Sequence, residues 1–141
     1  MSTPQARHQP PTPLSLRVLV VDDEFLIRWS LAETLSEEGH RVAEAGDAET
    51  ALKTIRSEAP FDIVLLDYHL PDSHDLTLLA TIRRLAPQAA VIMMTAFGTP
   101  EMIDQALGLG AFRVVPKPFD VHEIAPLVLQ ARASLPTDPP Q

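Results

Sequence analysis

The sequence predicts an α/β fold, a doubly wound sheet of five parallel strands in the order 2-1-3-4-5 with helices on both faces. Two observations carry this expectation. Five short apolar runs alternate with five longer segments of helical period, the pattern of successive strand and helix units. The runs also lack polar alternation, so each is expected to be buried on both sides, as helical crossovers impose on a parallel sheet.

The first strand is expected over Leu16 to Val21, and the acidic Asp22, Asp23 and Glu24 follow it. Ile27, Leu31 and Leu35 then recur at helical spacing, and Gly39 closes the first helix. Arg41 to Ala45 reads as the second strand, and Asp47 as the cap of a second helix reaching about Ser57. Phe61 to Leu66 is the third strand, with a third helix from Asp75 to Leu85 that Pro87 stops. After a fourth strand, Ala90 to Met94, the run Thr99, Pro100 and Glu101 opens the fourth helix. It supplies a hydroxyl cap, a proline in the first turn where a missing N–H costs nothing, and an acid near the positive helix end. Phe112 to Val115 is the fifth strand. Asp120 with Glu123 makes a capping-box-like start for the fifth helix, which Pro126 is expected to kink or delay by removing one hydrogen bond.

A length of 141 residues suits one domain with one core. Four prolines precede residue 15 and three follow residue 135, so a folded domain over 16–135 is expected between a disordered tail, 1–15, and a tail or linker, 136–141. The formal charge of -8 argues against nucleic-acid binding through the bulk field, which needs a basic face. The absence of cysteine excludes disulfides, thiolate catalysis and cysteine-ligated metals, and a cytoplasmic location is the natural expectation. The first fifteen residues hold no apolar run, so they read as neither a secretory signal nor an anchor. Later apolar runs fall short of the ~18 residues that a spanning helix needs.

In an open parallel sheet, ligands bind outside the carboxyl ends of the strands. Asp22 and Asp23 follow strand one, Asp67 strand three, Thr95 strand four and Lys117 strand five, so all of them fall at that edge. Carboxylates about 4 Å apart repel by roughly 4 kcal/mol near a protein surface, and something positive must join them. A hard divalent cation, Mg2+ above all, suits an oxygen-only site, and Lys117 adds a permanent point charge. With those charges on a phosphoryl group, the Asp67 carboxylate can act as nucleophile toward an activated donor, and Thr95 can bond a phosphoryl oxygen. The Lys117-Pro118 step is a place for a cis bond that aims the lysine. Acidic residues after a strand are often only helix caps; the coincidence of all these residues at one sheet edge separates this set from that plainer reading.

Four stretches carry a family resemblance: Val18-Leu-Val-Val-Asp-Asp-Glu, Ile63-Val-Leu-Leu-Asp-Tyr-His-Leu-Pro-Asp, Met94-Thr-Ala-Phe-Gly and Gly110-Ala-Phe-Arg-Val-Val-Pro-Lys-Pro-Phe-Asp. They resemble the receiver domain of two-component response regulators, most of all receivers of the nitrogen-regulator type, over about Leu16 to Leu135. The resemblance implies a flavodoxin-like three-layer sandwich. It also implies that Asp67 is the phosphoacceptor, that Asp22, Asp23, Asp67 and the backbone carbonyl of His69 hold Mg2+, that Thr95 is the switch hydroxyl, and that Lys117 binds the phosphate. The donor would be a histidine kinase or a histidine phosphotransfer protein. The chain would then be a phosphoacceptor switch that catalyses its own phosphorylation and dephosphorylation, not a conventional enzyme. Its output would be a protein partner, with self-association through the fourth and fifth helices and no direct contact with nucleic acid or membrane.

This chain departs from the family at two positions. The switch aromatic is replaced by Val114, with Phe112 two residues earlier and expected on the same side of the strand. The glycine of the loop after the acceptor strand is replaced by Asp75, which can cap the third helix. His69 and Phe97, each two residues after a site residue, are expected to flank the phosphoryl group, with Phe97 shielding it. Two other readings compete. An aspartyl-nucleophile phosphatase wants a second Asp where His69 stands, and a degenerate receiver would act only as a protein-interaction module. The five histidines lack metal-ligand spacing, Trp29 is expected to pack in the first helix and could report metal binding, and the fourth helix holds more apolar residues than one buried stripe uses.

Overall fold

In a computed structural model that describes residues 15–58 and 60–135, the apolar runs form strands β1 (Arg17–Val21), β2 (Arg41–Ala45), β3 (Ile63–Asp67), β4 (Ala90–Thr95) and β5 (Ala111–Pro116). All are parallel and pair in the order β2-β1-β3-β4-β5. Helices α1 (Phe25–Glu37), α2 (Ala48–Glu58), α3 (Thr77–Leu85), α4 (Pro100–Gly108) and α5 (Val121–Ala133) alternate with them, as the pattern predicts. Except for Ser15, the expected tails lie outside the described residues.

Successive strand side chains point to opposite faces, so the sheet separates two cores. Val18, Val20, Ile63, Leu65 and Ile92 pack on one face against Leu31 and Leu35 of α1 and Ile124, Leu127 and Val128 of α5. Leu19, Val21, Val64, Leu66 and Val91 pack on the other against Ala51 and Ile55 of α2, Leu79 and Ile82 of α3, and Ala106 of α4. The result is three layers. Leu65 is fully buried on the central strand. Leu65→Ala is therefore expected to lower stability by about 2–5 kcal/mol in urea unfolding, through lost apolar burial and the cavity left behind.

The expectation of uniform burial holds for the inner strands and fails at the edges. Arg41 and Glu44 on β2 and Arg113 on β5 are exposed, because an edge strand has one neighbour and thinner helical cover. The alternation on β5 also breaks. Val91 pairs with Ala111, but Ile92 pairs with Arg113, so Phe112 is an extra residue in a bulge. Phe112 packs with the α1 and α5 core while Val114 packs with the α2 to α4 core. The two residues thus lie on opposite faces, and Phe112 cannot stand in for an aromatic at Val114.

The caps follow the sequence closely. Thr99 Oγ1 accepts from Met102 N–H at 3.1 Å, Asp120 Oδ1 from His122 N–H at 2.9 Å, and Asp47 Oδ1 from Thr50 N–H at 2.7 Å. Helix α3 begins at Thr77 and not at Asp75, which sits outside the helix and accepts the Thr77 N–H at 2.9 Å. Pro126 neither delays nor ends α5, which runs without a break from Val121; its side is exposed, so water can serve the carbonyl that it leaves unpaired. Asp72, in the loop after β3, accepts from the Ala48 and Glu49 N–H groups and so caps α2 from a distance.

His40 joins the start of β1 to the sheet: its Nδ1 accepts the Leu16 N–H at 3.1 Å and the ring is buried. Burial lowers the imidazole from its usual 6.5, with Glu38 and Asp62 opposing. A lowered folded value means that the unfolded chain binds the proton more readily, so this contribution to stability is present above pH 6.5 and is lost as pH falls below it. An NMR titration should find the His40 midpoint below 6.5.

Candidate functional site

At the carboxyl edge of the sheet, β1, β3, β4 and β5 each end on or just before a polar residue. Asp22 follows β1, and its Oδ1 accepts the Glu24 N–H at 2.8 Å, turning the chain into α1. Asp67 is the last residue of β3 and its Oδ1 accepts the His69 N–H at 3.2 Å. Thr95 ends β4, with Oγ1 accepting the Phe97 N–H at 3.2 Å and its carbonyl accepting the Lys117 N–H at 2.8 Å. Lys117 directly follows β5, and the Lys117-Pro118 peptide is cis, as the sequence suggests.

These loops bring one ammonium among three carboxylates. Lys117 Nζ lies 3.2 Å from Asp67 Oδ2, 3.0 Å from Asp22 Oδ2 and 2.9 Å from Glu24 Oε1. Asp22 is fully buried and Asp67 nearly so. The Asp22 contact is one of charge without aligned hydrogen bonding, so Asp22 Oδ2 is a buried oxygen with no hydrogen-bond partner. Burial and then the charge of Asp22 push Asp67 up from 3.8 to about 6, although Lys117 and the His69 N–H pull it back. Burial acts to lower Lys117, but its contacts with Glu24 and Asp22 and the charges of Asp22 and Asp67 more than offset this and hold it above its ordinary value.

Around this group is a cleft of about 350 Å³ lined by Asp23, Glu24, Asp67, His69, Ala96, Phe97 and Lys117. Asp22, Asp67 and Lys117 are therefore brought together as the strand ends predict. The Thr95 hydroxyl is buried on the neighbouring strand and held by the Phe97 N–H. Asp23 lines the cleft but is exposed, and among the described residues the carboxylates that converge are those of Asp22, Glu24 and Asp67, whose oxygens lie within 4.8 Å of one another. Glu24 is the member that sequence reasoning did not single out; the available signal was its place as the third acid of one run. Three converging oxygen donors, one of them buried without a hydrogen bond, fit a hard divalent cation such as Mg2+.

The family model for the response regulator receiver domain matches residues 18–128. The chain belongs to the response regulator receiver family. Among its relatives, the DNA-binding transcriptional regulator NtrC of Proteus hauseri is 39% identical over 114 residues, covering 81% of this receiver but 24% of that protein. The receiver thus spans about a quarter of that relative. Sporulation initiation phosphotransferase F of Bacillus subtilis is 36% identical over 108 residues, covering 77% of this chain and 86% of that one. The receiver domain of NtrX from Brucella abortus superposes with a TM-score of 0.75 at 36% identity, over 83% of this receiver and 98% of that chain. A CheY-like receiver from Methanospirillum hungatei gives a TM-score of 0.80 at 29% identity, over 85% and 95% of the two chains. The resemblance read from the four sequence stretches is thereby borne out, as is the three-layer fold.

Proposed function

We propose that Asp67 accepts a phosphoryl group from a histidine kinase or histidine phosphotransfer protein in the cytoplasm, and that the aspartyl phosphate switches a protein-interaction surface. The observation that carries this reading is the Lys117 ammonium 3.2 Å from an almost fully buried Asp67 carboxylate at the end of the central strand. An Asp67 oxygen attacks phosphorus, the bond from phosphorus to the donor breaks, and the leaving group departs with the bonding electrons. Lys117 stands where it can shift from carboxylate to phosphoryl oxygen, and Thr95 offers a hydroxyl from the adjacent strand end. Asp22, Asp23, Asp67 and the His69 carbonyl would hold Mg2+, which would supply positive charge against the phosphoryl oxygens. Residues 16–135 form the proposed receiver unit. Exposed Leu107 of α4 and Leu129 of α5, with Leu109 just after α4, offer apolar contacts for self-association.

Intact-mass measurement after incubation with acetyl phosphate tests this reading. A gain of about 80 Da that requires Mg2+ supports a working receiver. No gain by folded protein would favour a module that acts only through protein interactions. Phe97 is 81% exposed on the cleft wall, where its ring can cover a group on Asp67. Phe97→Ala is expected to shorten the lifetime of the phosphorylated protein several-fold (about 2- to 10-fold) by admitting water, followed as loss of the added mass.

A further inference from the structure

The geometry points to Glu24 as an electrostatic gate on phosphorylation: its carboxylate holds the Lys117 ammonium in the resting site, and an incoming phosphoryl group must take Lys117 from it. Glu24 stands at the N-cap position of α1 but makes no capping hydrogen bond with its side chain. Asp22 Oδ1 accepts the Glu24 N–H just ahead of the helix, so the turn into α1 is fixed without the Glu24 carboxylate. The Glu24 side chain instead reaches Lys117 at 2.9 Å, closer than either buried aspartate. Helix capping therefore does not explain a carboxylate here.

Burial does not explain it either, because the Glu24 side chain is 58% exposed. An exposed ion pair is held weakly and can exchange, unlike the fully buried Asp22. Glu24 also lines the cleft through which a donor must approach Asp67, so its charge faces the incoming phosphoryl oxygens. It acts twice in the same direction, by repelling the donor and by occupying the cation that the phosphoryl group will need. In the transfer itself, the Asp67 oxygen to phosphorus bond forms as the bond from phosphorus to the donor atom breaks: acetate leaves acetyl phosphate with the oxygen's electron pair, and ammonia, already bearing its protons, leaves phosphoramidate with the nitrogen's. Glu24 takes no part in bond making and is a positioning residue acting through Lys117.

The inference rests on Asp67 being the acceptor, and the test separates the two. Initial rates of phosphoryl uptake would be measured for wild type, Glu24→Gln and Glu24→Asp with acetyl phosphate, a dianion at neutral pH, and with phosphoramidate, which carries one net negative charge. Each protein would be saturated with Mg2+, as judged by titration of the fluorescence of Trp29, the single tryptophan, on the helix that Glu24 opens. Glu24→Gln should speed acetyl phosphate by roughly five- to tenfold at low ionic strength, speed phosphoramidate less, and lose its advantage near 0.5 M salt. Glu24→Asp, which keeps the charge on a shorter arm, should gain much less than Glu24→Gln. A Glu24→Gln rate equal to or below wild type would overturn the inference, as would equal acceleration of both donors or an acceleration by Glu24→Asp as large as that by Glu24→Gln. A loss of Mg2+ affinity beyond about a hundredfold in Glu24→Gln would make the residue a metal ligand and overturn it too. If wild type takes up no phosphoryl group at all, it is the reading of Asp67 that fails.

Discussion

Asp67→Asn is expected to take up no phosphoryl group and, in chelator at neutral pH, to be more stable than wild type. The first effect follows from loss of the nucleophilic oxygen. The second follows from the site itself, where burial and the Asp22 charge raise Asp67 from 3.8 to about 6. A raised folded value means that this group stabilises the fold fully below about pH 3.8, and that the benefit is lost as pH rises through about 6. The ionised carboxylate thus costs the folded state about 3 kcal/mol at neutral pH. Urea unfolding at pH 7.5 should place Asp67→Asn above wild type, and the gap should narrow at pH 4.5 and close below about pH 3.8. A carboxylate present only to pair with Lys117 would give the opposite order at pH 7.5. Added Mg2+ should narrow the gap as well, since a cation favours the ionised aspartate.

Lys117→Ala is expected to do the reverse to stability while also disabling the chemistry. Lys117 is the common counter-ion of Asp22, Glu24 and Asp67, two of them buried. Removing one partner of a buried charge group costs about 3–5 kcal/mol, because the charge left behind has neither water nor a partner. The loss should be greater at pH 8 than at pH 5, where Asp67 can protonate, and Mg2+ should restore part of it. Phosphoryl uptake should fall by about 10²- to 10³-fold, the usual size of losing one preorganised stabiliser of developing phosphoryl charge. Lys117→Arg keeps the charge but replaces a compact ammonium with a planar fork, and should recover stability better than rate. Urea unfolding and a time course of added mass check both halves.

The two variants divide the site into a group that strains the fold and a group that relieves the strain. Such a division is expected where local stability is given up for chemistry. The aspartates, Thr95 and Lys117 were legible because parallel strands all deliver their carboxyl ends to one edge, so any polar residue just after an apolar run arrives at the same place. The caps at Asp47, Thr99 and Asp120 were legible because capping is a local matter between a side chain and an N–H two or three residues on. Phe112 was misplaced because a period of two holds only while no residue is inserted, and the bulge opposite Val91 and Ile92 depends on pairing with β4. The capping of α2 by Asp72, 24 residues from Ala48, left no local trace.

By itself, then, the sequence determined the three-layer architecture and the edge at which the chemistry gathers, since apolar period and chain connectivity act along the whole chain, while the strand order followed from the family resemblance. Only the tertiary structure decided which acids of the run Asp22, Asp23 and Glu24 meet Lys117 and which face of the sheet Phe112 joins. Those outcomes hang on the turn of one loop and the register of one edge strand. A partner 93 residues away, as Glu24 has in Lys117, is chosen by where the backbone aims the side chain, which spacing in sequence does not encode.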